Sequence, residues 1–245
     1  MPSLPGFAFS GLPAKPLTRA VIAELFHSLM TEHLGHQRYF LFGGDIGGAV
    51  CGWMAGLFPD QVAGVHMIHP PFPSSFDDPP LTEDERAFLD WEEKFDEGDR
   101  GYSEIMGTRP DTIAAALIDS PVGLAAWIID KLRDWSDCGG DVEARFTKQD
   151  LATLVSLYWF TDSIGTSFRQ YQDWGWNDVR PPITVPAGFT LSTELSAPGL
   201  PRSIAERVCS NVRMWNEPRR GGHFLAVEEP DLMAEELSVF FSLAA

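Results

Sequence analysis

Residues Tyr39 to Val50 read YFLFGGDIGGAV, an apolar run that stops in two glycines, an aspartate and two more glycines. Ala49, Val50, Trp53, Met54 and Leu57 continue beyond the corner at helical spacing, so the stretch reads as strand, sharp turn, helix. The glycines have a mechanical reason. Such a turn needs strained or positive φ angles, and the helix must pack close beneath it, which leaves no room for side chains. Asp45 then stands exposed at the carboxyl end of a strand, in the geometry of a nucleophile elbow. Taken alone, the stretch equally reads as a buried strand followed by an aspartate that caps a helix N-terminus. The choice between the two depends on the rest of the chain.

Downstream, VAGVHMI from Val62 to Ile68 is a second buried strand, and strand, helix, strand implies a parallel sheet. Upstream, Thr18 is an N-cap for an apolar stripe of Val21, Ile22, Leu25, Phe26, Leu29, Met30 and Leu34 that Gly35 ends. The opening PSLPGFAFSGLPAKP reads as a structured loop. From Pro70 the chain turns proline-rich, then acidic, then helical to about residue 174 with no convincing strand. Helices are expected near Glu83 to Phe95, Ile105 to Leu117, Val122 to Trp135 and Lys148 to Phe168. The last opens on Thr147 and Asp150 as a capping box. A strand near Ile183 to Leu191, a helix near Ser203 to Val208, a strand near Val212 to Trp215 and a helix from Pro230 to Leu243 follow. The expected organisation is therefore an α/β core in two parts, residues 1–72 and 181–245, with a helical lid inserted at 73–180.

The composition narrows the function classes. The 245 residues suffice for one α/β domain with an insertion, and 44% hydrophobic with 22% charged residues is ordinary for a globular chain. A net charge of −17 argues against nucleic acid and anionic membrane surfaces as partners, and suits a small neutral substrate. No apolar run approaches the roughly 20 residues of a membrane span. The start also lacks the plan of a signal peptide. Cys51, Cys138 and Cys209 are too scattered for a zinc site or a disulfide framework. No phosphate loop is present. The expectation is a cytoplasmic protein without metal or cofactor.

Glu194 and His223 each fall just past the carboxyl end of an expected strand, the edge at which open α/β sheets form ligand sites. Asp45, Glu194, His223 follow the chain order nucleophile, acid, base of the α/β-hydrolases, and no G-x-S-x-G occurs. A carboxylate attacks sp³ carbon well but gives an unstable mixed anhydride with acyl substrates. The pattern therefore points to alkyl transfer, either epoxide opening or halide displacement, by covalent catalysis in two steps.

The blocks PSLPGFAFSG, GGDIGG, VPAGFTLSTEL and RGGHFLAVEEP resemble epoxide hydrolases of the microsomal type. So do the lid passages GYSEIMGTRPDTIAAALIDSPVGLAAWIIDKLRDWSDC and FTKQDLATLVSLYWFTDSIGTSFRQY. The resemblance covers nearly the whole chain. It implies an α/β-hydrolase core with a helical cap, acting on a small apolar epoxide and water. By motif position Asp45 matches the nucleophile, Glu194 in STEL the acid and His223 in GGHF the base. Tyr102 in GYSEIM and Tyr171 in FRQY match the family's two epoxide-binding tyrosines. A phenol stays protonated at neutral pH and can donate to the epoxide oxygen. Tyr158 reads instead as helix packing, and Trp127, Trp135, Trp159 and Phe168 fit either an apolar pocket or ordinary core.

Two departures from the family pattern stand out. Ile46 follows the nucleophile where the family usually has tryptophan, though its backbone N–H can still serve an oxyanion. The family pattern also places further strands and an HG-x-P oxyanion loop ahead of PSLPGF, where this chain opens. The expectation is a core sheet without its first strands, an open edge beside the Asp45 strand that invites pairing with a second copy, and slowed ester hydrolysis. Two alternatives to an epoxide hydrolase remain at this point. One is a haloalkane dehalogenase with the same elbow, and the other is an inactive remnant that binds an apolar ligand.

Overall fold

The computed structural model describes residues 1–77 and 79–244. The chain runs α1 (Arg19–Ser28), β1 (Tyr39–Gly43), α2 (Asp45–Leu57), β2 (Val62–Met67), α3 (Glu83–Asp99), α4 (Gly101–Thr108), α5 (Pro110–Ile118), α6 (Pro121–Trp135) and α7 (Lys148–Thr161). It continues through α8 (Ile164–Ser167), α9 (Arg169–Gln172), β3 (Ala187–Thr190), α10 (Thr193–Ser196), α11 (Arg202–Glu206), β4 (Val212–Asn216), α12 (Leu225–Glu228) and α13 (Pro230–Ala244). The described residues form two compact units, one of residues 1–22 and 96–177, the other of residues 23–77, 79–95 and 178–244.

The second unit carries a four-stranded, all-parallel sheet in the order β1-β2-β3-β4. Its register aligns the carboxyl ends: Gly43 lies opposite Met67, Met67 opposite Phe189, and Phe189 opposite Trp215. Residues that follow the strands therefore emerge along one edge. β2 is buried at every position, as a strand covered on both faces must be. On one face α13 packs through Phe240 and Ala244 against Met214 and Phe40. The approach is close enough that a Cβ at Gly188 would sit 2.5 Å from the Phe240 ring and 2.7 Å from His66 Nδ1. Glu85, at the start of α3, forms a buried ion pair with Arg207 at 2.7 Å. Arg207 also donates to the carbonyl of Pro80 at 3.0 Å.

The first unit is helical. Met106, Leu117, Leu124, Ile164 and Phe168 form its core, with Tyr102, Trp127, Tyr158, Trp159 and Tyr171 packed around them. The opening loop belongs to this unit and not to the sheet. Leu17 N donates to Asp173 Oδ2 at 2.7 Å, and Thr166 Oγ1 donates to the Gly6 carbonyl at 2.6 Å.

Several expected elements differ in extent. The helix expected over Ile105 to Leu117 is two helices, α4 and α5, because Pro110 has no N–H to continue the ladder and starts a new helix instead. The helix expected over Lys148 to Phe168 ends at Thr161, where Asp162 takes the left-handed conformation at φ +53°. The strand expected over Ile183 to Leu191 pairs regularly only at Ala187–Thr190, since Pro186 cannot donate to a ladder, while Ile183 makes a lone parallel bridge to Cys209. Thr18 caps α1 as expected, its Oγ1 accepting from Val21 N at 3.3 Å. The Thr147 and Asp150 capping box is present on α7. Among the described residues no single helix is long and apolar enough to cross a membrane.

Candidate active site

Asp45 is the first residue of α2, and its φ of +49° lies in the left-handed region that aspartate tolerates better than most side chains. Gly44 before it is extended, at φ −131° and ψ 163°. A Cβ on Gly43 would lie 2.7 Å from the Gly47 carbonyl carbon, so strand end and helix start meet backbone to backbone. This is the expected elbow. It leaves the Asp45 side chain 48% exposed at the carboxyl edge of the sheet.

Glu194 follows β3 on the short helix α10, and His223 follows β4 in the loop before α12. The two loops are tied together: Thr193 donates to the Gly221 carbonyl through its N–H at 2.9 Å and its hydroxyl at 3.0 Å. The Glu228 carboxylate accepts the N–H groups of Gly222 and Phe224, each at 3.0 Å, and so holds the backbone on both sides of His223. The result is a linear array. His223 Nδ1 lies 2.9 Å from Glu194 Oε2, and His223 Nε2 lies 3.2 Å from Asp45 Oδ2.

The charges of the three groups sustain one another. Burial would lower the His223 pKa, but its hydrogen bonds to Asp45 and Glu194 and their negative charges outweigh that and raise it to about 10. Burial would raise Glu194, yet the hydrogen bonds from His223 and His69 bring it to about 2. For Asp45 the desolvation by its surroundings is likewise outweighed by the His223 hydrogen bond and charge, with help from the Ile46 N–H, so its carboxyl stays below the ordinary range. At neutral pH the array is therefore an imidazolium between two carboxylates. Asp45 is anionic there.

His69 was missed in the sequence. It lies just past β2, and its Nδ1 accepts the Asp45 backbone N–H at 3.0 Å. Its Nε2 stands 3.6 Å from Glu194 Oε2. Together with Glu194 and His223 it forms a set of ligand-type atoms within 4.8 Å of one another, close enough in spacing for a metal ion. The chemistry does not fit one. Only a lone pair receives an N–H, so the neutral ring carries its proton on Nε2, which leaves no lone pair facing the set.

Tyr102 and Tyr171 come together in the helical unit, on α4 and α9, with ring centroids 6.0 Å apart in an edge-to-face arrangement. The Trp135 ring lies 5.1 Å from Tyr102, and Lys131 Nζ stands 5.2 Å from the Tyr102 ring centroid. Asp99 anchors both neighbours, accepting from Lys131 at 2.5 Å and from Trp135 Nε1 at 2.7 Å. Phe168 is a core residue, and burial raises the pKa of Tyr158.

Comparison with known proteins bears on the fold that carries these residues. The family described as alpha/beta hydrolase fold matches residues 1–115. A relative from Stigmatella aurantiaca, provisionally named an epoxide hydrolase, is 38% identical over 98% of this chain and 55% of its own length. Epoxide hydrolase 1 of Oryctolagus cuniculus is 32% identical over 99% of this chain and 59% of its own. The crystal structure of juvenile hormone epoxide hydrolase from the silkworm Bombyx mori superposes with a TM-score of 0.81 at 29% identity, covering 99% of this chain and 59% of that one. The chain has the α/β-hydrolase fold and resembles the microsomal-type epoxide hydrolases. It spans somewhat more than half the length of the proteins it matches.

In this α/β-hydrolase fold the array carries a pH signature of its own. His223 has its pKa raised from 6.5 to about 10, so its contribution to stability is complete below about pH 6.5 and is lost as pH rises towards about 10. Glu194 is lowered from 4.5 to about 2, so its contribution is complete above about pH 4.5 and is lost as pH falls towards about 2. These describe one ion pair seen from two sides. The difference in Tm between the natural chain and His223→Gln is therefore expected to be largest between about pH 4.5 and 6.5 and to shrink towards pH 10, as thermal melts across that range would show. A difference independent of pH would contradict the assignment.

Proposed function

We propose that this chain hydrolyses epoxides to vicinal diols through a covalent ester on Asp45. The observation that carries the reading is the array itself: an anionic aspartate at an elbow, 3.2 Å from a histidine that a glutamate holds at 2.9 Å. An Asp45 oxygen attacks an epoxide carbon, the carbon–oxygen bond breaks, and the alkoxide takes a proton from Tyr102 or Tyr171. The product is an alkyl ester and a phenolate.

Alkylation also switches the base on. Asp45 is one of the two carboxylates that keep the proton on His223, and as an ester it is neutral. The imidazolium then releases its proton, which balances the one the phenolate regains. Neutral His223, oriented by Glu194, deprotonates a water that attacks the ester carbonyl carbon, and the Ile46 N–H serves the oxyanion. Collapse expels the second diol oxygen, which takes its proton from His223. The Asp45 carboxylic acid passes its proton back to His223 and restores the imidazolium.

The test is diol formation from styrene oxide, alongside Tyr102→Phe and Tyr171→Phe. Each variant is expected to slow ester formation by about 10²-fold, at the low end for removal of a general acid, with ester hydrolysis unchanged. A double variant that retains full activity would overturn the role of the phenols. Halide release from a haloalkane with no diol from styrene oxide would turn the reading to a dehalogenase.

A further inference from the structure

We propose that His69 is a positioning residue that couples the nucleophile's backbone to the acid, an inference that rests on the function proposed above. The topology puts it there. β2 lies between β1, which leads to Asp45, and β3, which leads to Glu194, so a side chain just past the end of β2 faces both. The His69 ring spans that gap. Nδ1 accepts the Asp45 N–H at 3.0 Å, while Nε2 lies 3.6 Å from Glu194 Oε2 and 3.5 Å from Ser192 Oγ. The ring lies 4.6 Å from that of His223, centroid to centroid, and its side chain is 17% exposed.

Each end of the ring does separate work. The Asp45 N–H belongs to the first turn of α2, where amides have no partner within the helix. An acceptor there holds the Gly44–Asp45 peptide plane, and with it the direction of the Asp45 side chain at a strained φ. The same acceptor bond leaves the ring proton on Nε2, directed at Ser192 and the oxygen of Glu194 that receives His223 Nδ1. The acid is thereby aimed from a second side. Neither contact touches the reacting atoms, so the effect is on the precision with which nucleophile, acid and base are held.

The experiment compares three side chains and reads the tautomer directly. His69→Phe keeps the shape of the ring without a lone pair or a donor. It is expected to lower kcat for styrene oxide by about 10- to 100-fold, the loss typical of outer-sphere partners at metal sites, with KM within about twofold. His69→Gln offers a carbonyl to the Asp45 N–H and an amide N–H to Glu194, and is expected to recover most of the rate. Equal loss in both variants, or wild-type kcat in the phenylalanine variant, would overturn the proposal. In the natural chain, ¹⁵N NMR of His69 is expected to show a proton on Nε2 and none on Nδ1. A proton on Nδ1 overturns the proposal whether or not the variants fold. This spectrum needs no turnover, so a chain that forms no diol at all would count against the proposed function and leave the His69 assignment separately decided.

Discussion

Asp45→Asn is expected to lower diol formation from styrene oxide by at least about 10⁴-fold and to leave no covalent adduct on the protein, as expected for a residue whose catalytic unit fails when one member is removed. Asparagine is the informative replacement because it tolerates the positive φ at this position. It preserves the turn and the fold while removing the negative charge. The amide is a poor nucleophile and cannot form the same ester. It also withdraws one of the two carboxylates that hold the His223 proton. The variant should therefore show a second, non-kinetic effect: the imidazolium of His223 titrates well below its value of about 10 in the natural chain. Histidine NMR across pH 5 to about 10 reads this without substrate. Residual turnover near the natural rate would mean that water attacks the epoxide directly.

His223→Gln is expected to separate the two halves of the reaction. In the proposed reaction, ester formation needs the Asp45 carboxylate and an acid for the epoxide oxygen, and His223 supplies neither. Ester hydrolysis needs a base, and glutamine is none. Intact-mass spectrometry of the variant after brief exposure to styrene oxide should show one adduct per chain, mapped to the peptide containing Asp45. Diol release should fall by about 10³- to 10⁴-fold. Equal loss of both steps would show that the imidazolium, and not only the fold around it, is required for attack. A variant with no adduct and normal diol release would remove the covalent step from the account.

The elbow was legible in the chain because its physics is local. An apolar strand, glycines at the points of backbone contact and an aspartate able to take positive φ occupy twelve consecutive residues. The parallel sheet, the caps at Thr18 and Thr147 and the position of Glu194 and His223 beyond strand ends follow from similarly local patterns. The breaks inside the helical unit did not. Apolar periodicity runs unbroken across Arg109–Pro110 and across Asp162, although Pro110 itself was a signal that a new helix starts there. The division into units was hidden for another reason: residues 1–22 join the helices through bonds such as Leu17 to Asp173, which no local pattern announces.

His69 shows the same limit within the site. A histidine two residues past a strand carries no motif, and only the strand order β1-β2-β3 reveals that it stands between Asp45 and Glu194. The rule that ligand sites form at the carboxyl edge of a parallel sheet was the one available signal. Glu228 was in view as part of RGGHFLAVEEP. Its task of holding the two amides beside His223 appears only in three dimensions.

The central claim is that the oxygen added to the epoxide comes first from Asp45 and not from water. A single turnover of styrene oxide by excess protein in H₂¹⁸O decides it. The account predicts an unlabelled diol in that first turnover and one ¹⁸O in the peptide that contains Asp45. An ¹⁸O-labelled diol with an unlabelled peptide would contradict it.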